Sequence, residues 1–460
     1  MATIRIGRCY SPLPMDERLE KLSTLYRAHI TVLKLRHDHA MEATGFDHMV
    51  IFAGAQHVAI FDDYFYPFKV NPHFKWWAPV LDNPHCMLVY TPGVKPRLIY
   101  YQPVDYWYKP ADTPSGWWLP PFDIEIIRTP EEAKRFIPTN GRVAFIGEWD
   151  DGFNAWGKLE SNPQDLLNRL HYDRAWKTEY EIECIRGAND AGARGHVAAH
   201  KAFRNGESEF EIHLAFLRST LHAEEELPYA NIIALNEHGS VLHYIQHIRE
   251  RHDKKKVHSF LIDAGAQFNG YASDITRTYS EKKDEFRDLI DAMDAMQQSM
   301  CDEVRPKANY PDLHMHAHHK IAKILADFKF VKDLDAEGIV DKRISSSFFP
   351  HGLGHFLGLQ VHDVGGFQKD ALGTCIPKPE GHSYLRLTRV VEATHVFTIE
   401  PGLYFIESLL AELKKSDNAK YVNWKKVDEF RKFGGIRIED DVVVTDNGHR
   451  NLTREAFAGV

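Results

Sequence analysis

VHSFLIDAGAQFNGYASDITRTY, residues 257–279, is the stretch whose reading decides the fold. Asn269-Gly270 is a two-residue hairpin signal, because a type I′ turn needs positive φ at both central positions. Alternating β-branched and aromatic residues flank it, as two antiparallel strands require. With that turn as the loop, Phe268 faces Tyr271 and Asp263 faces Thr276. Asp274 lies two residues from Thr276 and so shares a sheet face with Asp263. Diagonal neighbours of this kind stand roughly 7–8 Å apart, within bridging reach of a metal. Two carboxylates on one face repel unless a cation lies between them. For the hairpin alone, two solvated aspartates on an exposed face are an equally good reading.

Composition narrows the partners. The chain has 460 residues and a net charge of −9, which gives no electrostatic basis for nucleic acid or an anionic membrane as partner. Its five cysteines (Cys9, Cys86, Cys184, Cys301 and Cys375) are scattered and form no CxxC pair. This suits reduced thiols in a cytosol better than a disulfide framework. The N-terminus lacks the apolar core of a secretory signal, and no apolar run approaches the ~18 residues needed to span a bilayer. A cytoplasmic protein is expected.

The length accommodates two domains. Residues 15–45 read as a helix with Leu19, Leu22, Leu25 and Tyr26 on its apolar stripe. MVIFAG (49–54), MLVYTPG (87–93), 95–101 and 143–146 read as strands of a smaller mixed α/β domain. Between them, residues 61–80 are rich in aromatics and broken by Pro67, Pro72 and Pro79. Core filler is the expected role for that stretch, ahead of contact with a partner. The reading changes from strand to helix near residue 172, which divides the chain into 1–172 and 173–460. Thr178–Glu181 and Ser208–Glu211 are capping-box starts of two helices, and 282–304 and 310–328 are two further amphipathic helices. Helices and antiparallel strands in segregated runs make the second domain α+β. His314, His316, His318 and His319 fall within one helix, where a solvated face is the expected reading. RHDKKKVH (251–258) reads as a charged, solvated loop.

Three downstream segments raise the weight of the two aspartates. HGLGHFLGLQVHDVGG (351–366) places His351 and His355 four apart, yet Gly352, Gly354 and Gly358 argue against a metal-binding helix of the HExxH kind. Glycines there are expected to let the backbone approach a bound group. VFTIEPGLYF (396–405) carries Glu400 alone in an apolar strand. GGIRIEDDVVV (434–444) puts Arg437 and Glu439 on one strand face. Carboxylates in apolar strands are expensive to bury unless paired or metal-bound. Asp263, Asp274, Glu400 and Glu439 with His355 offer four carboxylates and one imidazole. Two divalent cations balance that charge, and the oxygen-dominated set suits manganese, with cobalt or zinc as alternatives. Two such cations can bridge and acidify a water for attack on a carbonyl.

The ordered set DAG…SDITRT, HGLGH, TIEPG and GIRIED resembles the pita-bread metallopeptidases. Within them the chain is similar to the bacterial prolidase subgroup, the Xaa-Pro dipeptidases and organophosphorus acid anhydrolases. The likeness runs over nearly the whole chain, including YPFKVNPHFKWW, PVDYW, PYANIIALNEHGSVLHY and YFIESLLA. It implies a pita-bread catalytic domain, an antiparallel sheet flanked by helices, behind the smaller N-terminal domain. It also implies that Asp263, Asp274, His355, Glu400 and Glu439 are the metal ligands, with Asp263 and Glu439 shared or bidentate. Glu400 matches the proton shuttle, and His351 and His362 match histidines around the substrate. Tyr229 and His243 match pocket-lining residues. Arg386 and Arg437 match arginines near the substrate carboxylate and the metals. No ligand position is substituted, which favours the active form over metal-free relatives of the fold. Phe356, directly after His355, is expected to alter pocket shape without changing the reaction. The implied activity is cleavage of Xaa-Pro dipeptides, with phosphotriester hydrolysis as a side activity. The alternatives are cleavage of longer Xaa-Pro peptides, as by aminopeptidase P, and a non-enzymatic binding module on the same fold. The resemblance further implies a homodimer in which Asp62 or Asp63 reaches the partner's active site.

Overall fold

The computed structural model describes residues 15–460, which form two compact units. One comprises the described residues through Leu170 with 178–183 and 458–460; the other comprises 171–177 and 184–457. Residue 172, the expected boundary, lies in the segment assigned to the second unit.

The first unit is built on a six-stranded mixed sheet. Its strands run in the order Asp123–Ile127, Arg97–Tyr101, Met87–Tyr90, His48–Phe52, Val143–Ile146 and Leu159–Ser161. Met87–Tyr90 is antiparallel to both neighbours, and the outer pairings are parallel. The helix Met15–Thr44 buries Leu22, Tyr26, Ile30, Leu33 and Met41, while Leu19 is exposed. Leu22 and Tyr26 keep the expected face, and Leu19, seven residues before Tyr26 on that same face, is exposed near the start of the helix.

The aromatic stretch divides in two. Asn71 caps a short helix, Pro72–Trp77, whose Phe74, Trp76 and Trp77 are fully buried. Pro72 stands at the first helical position, where its missing N–H costs nothing. Upstream, Ile60, Phe61, Tyr64 and Tyr66 are exposed, Phe61 completely. Core filler therefore describes only the second half of the stretch.

In the second unit, the Asn269-Gly270 turn has φ values of 50° and 84°. The register is the expected one, with Phe268 opposite Tyr271 and Asp263 opposite Thr276. The ladder is interrupted at residues 264–266 and 273–275, where Ser273 turns its hydroxyl to the Ala188 carbonyl at 3.2 Å. Strand Ser259–Asp263 also pairs with Ile232–Leu235, completing a three-stranded antiparallel sheet. A second such sheet joins Val396–Ile399, Asp440–Thr445 and Gly448–Asn451, and Gly402–Tyr404 pairs with Gly435–Arg437. A β-bridge, Thr276 to Glu439, links the hairpin to the C-terminal strands. Helices Glu285–Cys301 and Tyr310–Asp327 pack an apolar core of Phe286, Met293, Tyr310, Phe348, Phe397 and Phe405 against these sheets. Among the described residues, no helix is long and apolar enough to cross a membrane.

Candidate metal centre

Five donors from separate segments converge in the second unit. Asp263 ends its strand, Asp274 lies in the ladder interruption, and Glu400 follows the strand Val396–Ile399. Glu439 sits between Gly435–Arg437 and Asp440–Thr445. The Tyr229 hydroxyl lies 2.8 Å from Asp263 Oδ1 and 2.6 Å from Asp274 Oδ1, so the two aspartates do share a face. His355 Nε2 stands 3.3 Å from Asp274 Oδ2 and 3.7 Å from Glu400 Oε1. Asp274, His355 and Glu439 each offer a ligand atom within 4.8 Å of the others.

A buried frame aims these groups. Arg437 Nη2–H donates to Asp263 Oδ2 at 2.7 Å, and its other donors meet the Tyr404 hydroxyl at 2.9 Å and Thr276 Oγ1 at 3.2 Å. Thr276 Oγ1–H in turn donates to Glu439 Oε2 at 2.7 Å. Asp441 Oδ2 accepts the Asp274 backbone N–H at 3.1 Å and the Asn189 amide at 2.8 Å. Tyr404 accepts from Arg437, so its own proton goes to His351 Nε2 at 2.8 Å, and His351 Nδ1–H is left for the Gly352 carbonyl at 2.8 Å. Tyr404 and Asp441 carried no sequence signal, because their roles depend on partners scores of residues away.

The charges show what the site lacks. Burial, with Asp274, Glu400 and Asp263 close by, holds the Glu439 carboxyl well above its ordinary value. Burial also raises Asp263 despite Arg437, and raises Glu400 to about 7. Burial acts the same way on Asp274, but His355 outweighs it and the net shift is downward. Against its own burial, His355 is raised to about 9 by Asp274 and Glu400. The cluster is short of positive charge and holds protons in its place. His355 Nδ1–H donates to the Phe356 carbonyl at 3.0 Å and leaves Nε2 facing the carboxylates, the arrangement of a metal-bound imidazole. The donor set fits divalent cations.

The remaining expected residues surround this group. The His362 ring packs perpendicular to His355 at 4.3 Å, and burial with the positive charges of His355 and Arg386 lowers its pKa to about 3. Burial, Arg437 and His243 likewise lower His351 to about 3, so both imidazoles are neutral. His243 acts electrostatically on both and is exposed. Arg386 is exposed beside His362 and makes no hydrogen bond or ion pair among the described residues. Arg437, by contrast, is buried behind the carboxylates. Asp363 anchors the His362 segment through a buried ion pair with Arg174 at 2.5 Å and another with Lys177 at 3.1 Å.

Three expectations change. Phe356 is 1% exposed and lies edge-on to His395, so it fills core rather than shaping a pocket. A Cβ at Gly354 would stand 2.1 Å from the Thr398 carbonyl oxygen, so this glycine admits a neighbouring strand rather than a bound group. On the helix Tyr310–Asp327, His316 and His319 reach Glu303 and Glu337 at the surface, but His314 and His318 are buried. The solvated-face reading missed them because the loop that covers them lies some sixty residues on in the chain.

Residues 24–172 match the family described as Xaa-Pro dipeptidase, N-terminal domain, and residues 183–446 match metallopeptidase family M24. A protein named Xaa-Pro dipeptidase from Pseudoalteromonas haloplanktis is 49% identical over 438 residues, 95% of this chain and 99% of the relative. One of the same name from Shewanella baltica (strain OS185) is 48% identical over the same shares. Zinc-substituted E. coli aminopeptidase P in complex with product superposes with a TM-score of 0.70 at 23% identity, over 92% of this chain and 96% of that one. Pseudomonas aeruginosa aminopeptidase PepP gives 0.69 at 20% identity, over 95% and 97%. At these identities the structures speak for the fold.

Proposed function

The chain belongs to metallopeptidase family M24 and has its pita-bread fold, and from that membership we propose that it is a manganese-dependent Xaa-Pro dipeptidase. The observation that carries the dipeptidase reading is Arg386, a guanidinium exposed and unpaired among the described residues, beside His362. A dipeptide ends in a carboxylate directly on its proline, and guanidinium suits a two-pronged grip on that group.

Asp263, Asp274, His355, Glu400 and Glu439 would hold two divalent cations, manganese by the oxygen-rich donor set, with cobalt or zinc as alternatives. When bound, the pair supplies Lewis acidity and a water acidified toward neutral pH. The chain's own residues do the rest. Glu400 takes the proton of the attacking water and returns it to the proline nitrogen as the C–N bond breaks. Tyr229 fixes Asp263 and Asp274, and Arg437 and Thr276 fix Asp263 and Glu439. Arg437 thus acts through the ligands rather than on substrate. His362, neutral, presents its imidazole to the developing oxyanion, while His351, with both ring nitrogens committed to Tyr404 and Gly352, and His243 complete the wall.

Residues 173–460 are the catalytic domain in this reading, and 1–172 is the dimerisation domain. The exposed Ile60, Phe61, Tyr64, Tyr66, Val104, Tyr106 and Trp107 support a homodimer, with Asp62 or Asp63 reaching the partner's site. Sedimentation should show a dimer, and a stable, fully active monomer would rule it out. The free thiols Cys86, Cys301 and Cys375 support a cytoplasmic setting. Phosphotriester hydrolysis is a side activity of the same acidified water. The likeness to aminopeptidase P supports a second reading, cleavage of longer Xaa-Pro peptides. A side-by-side assay with manganese separates these, using Xaa-Pro, Xaa-Pro-Yaa and a paraoxon-like ester. Xaa-Pro should lead, and preference for the tripeptide would favour the second reading. A protein that holds no stoichiometric divalent metal and gains nothing from manganese would be a binding module.

A further inference from the structure

His314 and His318 lie four apart on the helix Tyr310–Asp327, each 1% exposed, with ring centroids 4.7 Å apart. His382, from the loop before Arg386, closes on both, at 4.7 Å from His314 and 4.6 Å from His318. One ligand-capable nitrogen of each lies within 4.8 Å of the other two. We propose that His314, His318 and His382 form a second metal site, for a single borderline cation of the zinc class, separate from the carboxylate centre.

The partners of the rings carry this assignment. His318 Nδ1 meets Ser345 Oγ at 3.0 Å, which leaves Nε2 buried with no partner. His314 Nε2 meets His382 Nδ1 at 2.9 Å, and its Nδ1 is likewise unpartnered. Two buried imidazoles with an orphaned nitrogen each are costly as mere core filler, because each nitrogen has given up water without gaining a partner. No carboxylate pairs with any of the three among the described residues, and Arg343, the charged neighbour of His382, is itself paired with Glu380 at 3.6 Å. Burial keeps the rings uncharged, the form in which imidazole ligates. Three neutral nitrogens without oxygen or thiolate select zinc, cobalt, nickel or copper rather than manganese, and a half-exposed His382 leaves the fourth position to water. Nitrogens bound at about 2.0–2.1 Å in a tetrahedral arrangement stand about 3.3 Å apart, so the 2.9 Å His314–His382 pair would open slightly and His318 would close from within 4.8 Å.

The two centres are distinct. The Phe349 ring packs against His318 at 4.9 Å and His314 at 5.8 Å on one side, and against His351 at 4.9 Å on the other. The site would also staple helix to loop, because the segment running from His382 to Arg386 packs Leu385 against Gly352. A cation there would hold the loop that presents Arg386, a consequence that rests on the substrate role proposed for that residue.

The test is a Co2+ titration of the full chain, with bound metal counted after desalting and the visible spectrum recorded. Wild type should take up about one equivalent per chain with the intense absorption of four-coordinate cobalt, beyond the weakly coloured metal of the carboxylate centre. H382Q, in a loop, should lose that equivalent and its colour while keeping the wild-type circular dichroism, and H318A should do the same. D274N should lose metal at the carboxylate centre and keep the coloured equivalent. An absent intense band overturns the site, as does a band that survives H382Q or one that vanishes in D274N. Because the variants separate the two centres, failure here leaves the dipeptidase reading standing, and the reverse also holds.

Discussion

His355 Nε2 stands 3.3 Å from Asp274 Oδ2, while the opposite ring nitrogen is committed to the Phe356 carbonyl. One nitrogen is thus aimed, and only a proton or a cation can occupy the space it faces without leaving carboxylates opposed. In the bare chain Asp274 and Glu400 favour a proton there and raise His355 to about 9, while burial raises Glu400 to about 7.

Metal binding should therefore release protons. His355 is protonated in the bare chain below about pH 9 and Glu400 below about pH 7, and ligation requires both deprotonated. Affinity for Mn2+ should rise steadily from pH 6 to 9 and level off above. Calorimetry in buffers of different ionisation enthalpy should show net proton release at pH 8, most of one proton from His355 with any held on the raised Glu439 adding to it. Binding with no proton release would contradict the assigned ligand.

Asp274→Asn keeps the shape of the side chain and removes one negative charge from the donor set. Metal occupancy should fall, and kcat/KM should drop by about 100-fold or more, with the melting curve of the chelated protein little changed. Near-normal turnover would refute Asp274 as a ligand.

Arg386→Ala should lower kcat/KM on Xaa-Pro by roughly 10- to 150-fold, the worth of about 1.5–3 kcal/mol for a hydrogen bond to a charged group. The amide Xaa-Pro-NH2 offers no carboxylate and should be barely affected. A ratio of acid to amide that survives the substitution would mean that the arginine does not set specificity.

Asp440 is buried and accepts from Arg277 Nη2 and Arg454 Nε, each at 2.7 Å. Despite burial, these charges lower its pKa from 3.8 to about 2. A depressed carboxyl stabilises the fold above the unfolded value and loses that contribution as pH falls from about 4 toward 2. The contribution at neutrality is about 2 kcal/mol. Asp440→Asn should be less stable than wild type to urea at pH 7, and the gap should narrow by pH 3. A gap independent of pH would mean that the carboxylate is not held by these arginines.

The hairpin register was legible because a turn that demands positive φ at two positions leaves one pairing, and parity then fixes which side chains share a face. Asp263, Asp274 and Thr276 followed from that local rule alone. The interruption of the ladder was not legible, since it depends on Ser273 reaching the helix backbone at Ala188. His314 and His318 were misjudged for the same reason. A polar pair at i, i+4 looks solvated until a distant loop covers it. Arg437 was seen on the correct strand face, but not that Asp263, Thr276 and Tyr404, all distant in sequence, would each accept from its guanidinium.

The bridge from Thr276 to Glu439 joins residues 163 apart in sequence. During synthesis at about 5–20 residues per second, the hairpin waits roughly ten to thirty seconds for its last acidic partner to emerge. Over that interval no complete cage exists, so a cation cannot template the nascent chain as it does in a zinc finger. Loading would then belong to the finished protein, and the divalent cations free in the cell at that later moment, rather than at translation, would decide which ion the proposed site acquires first.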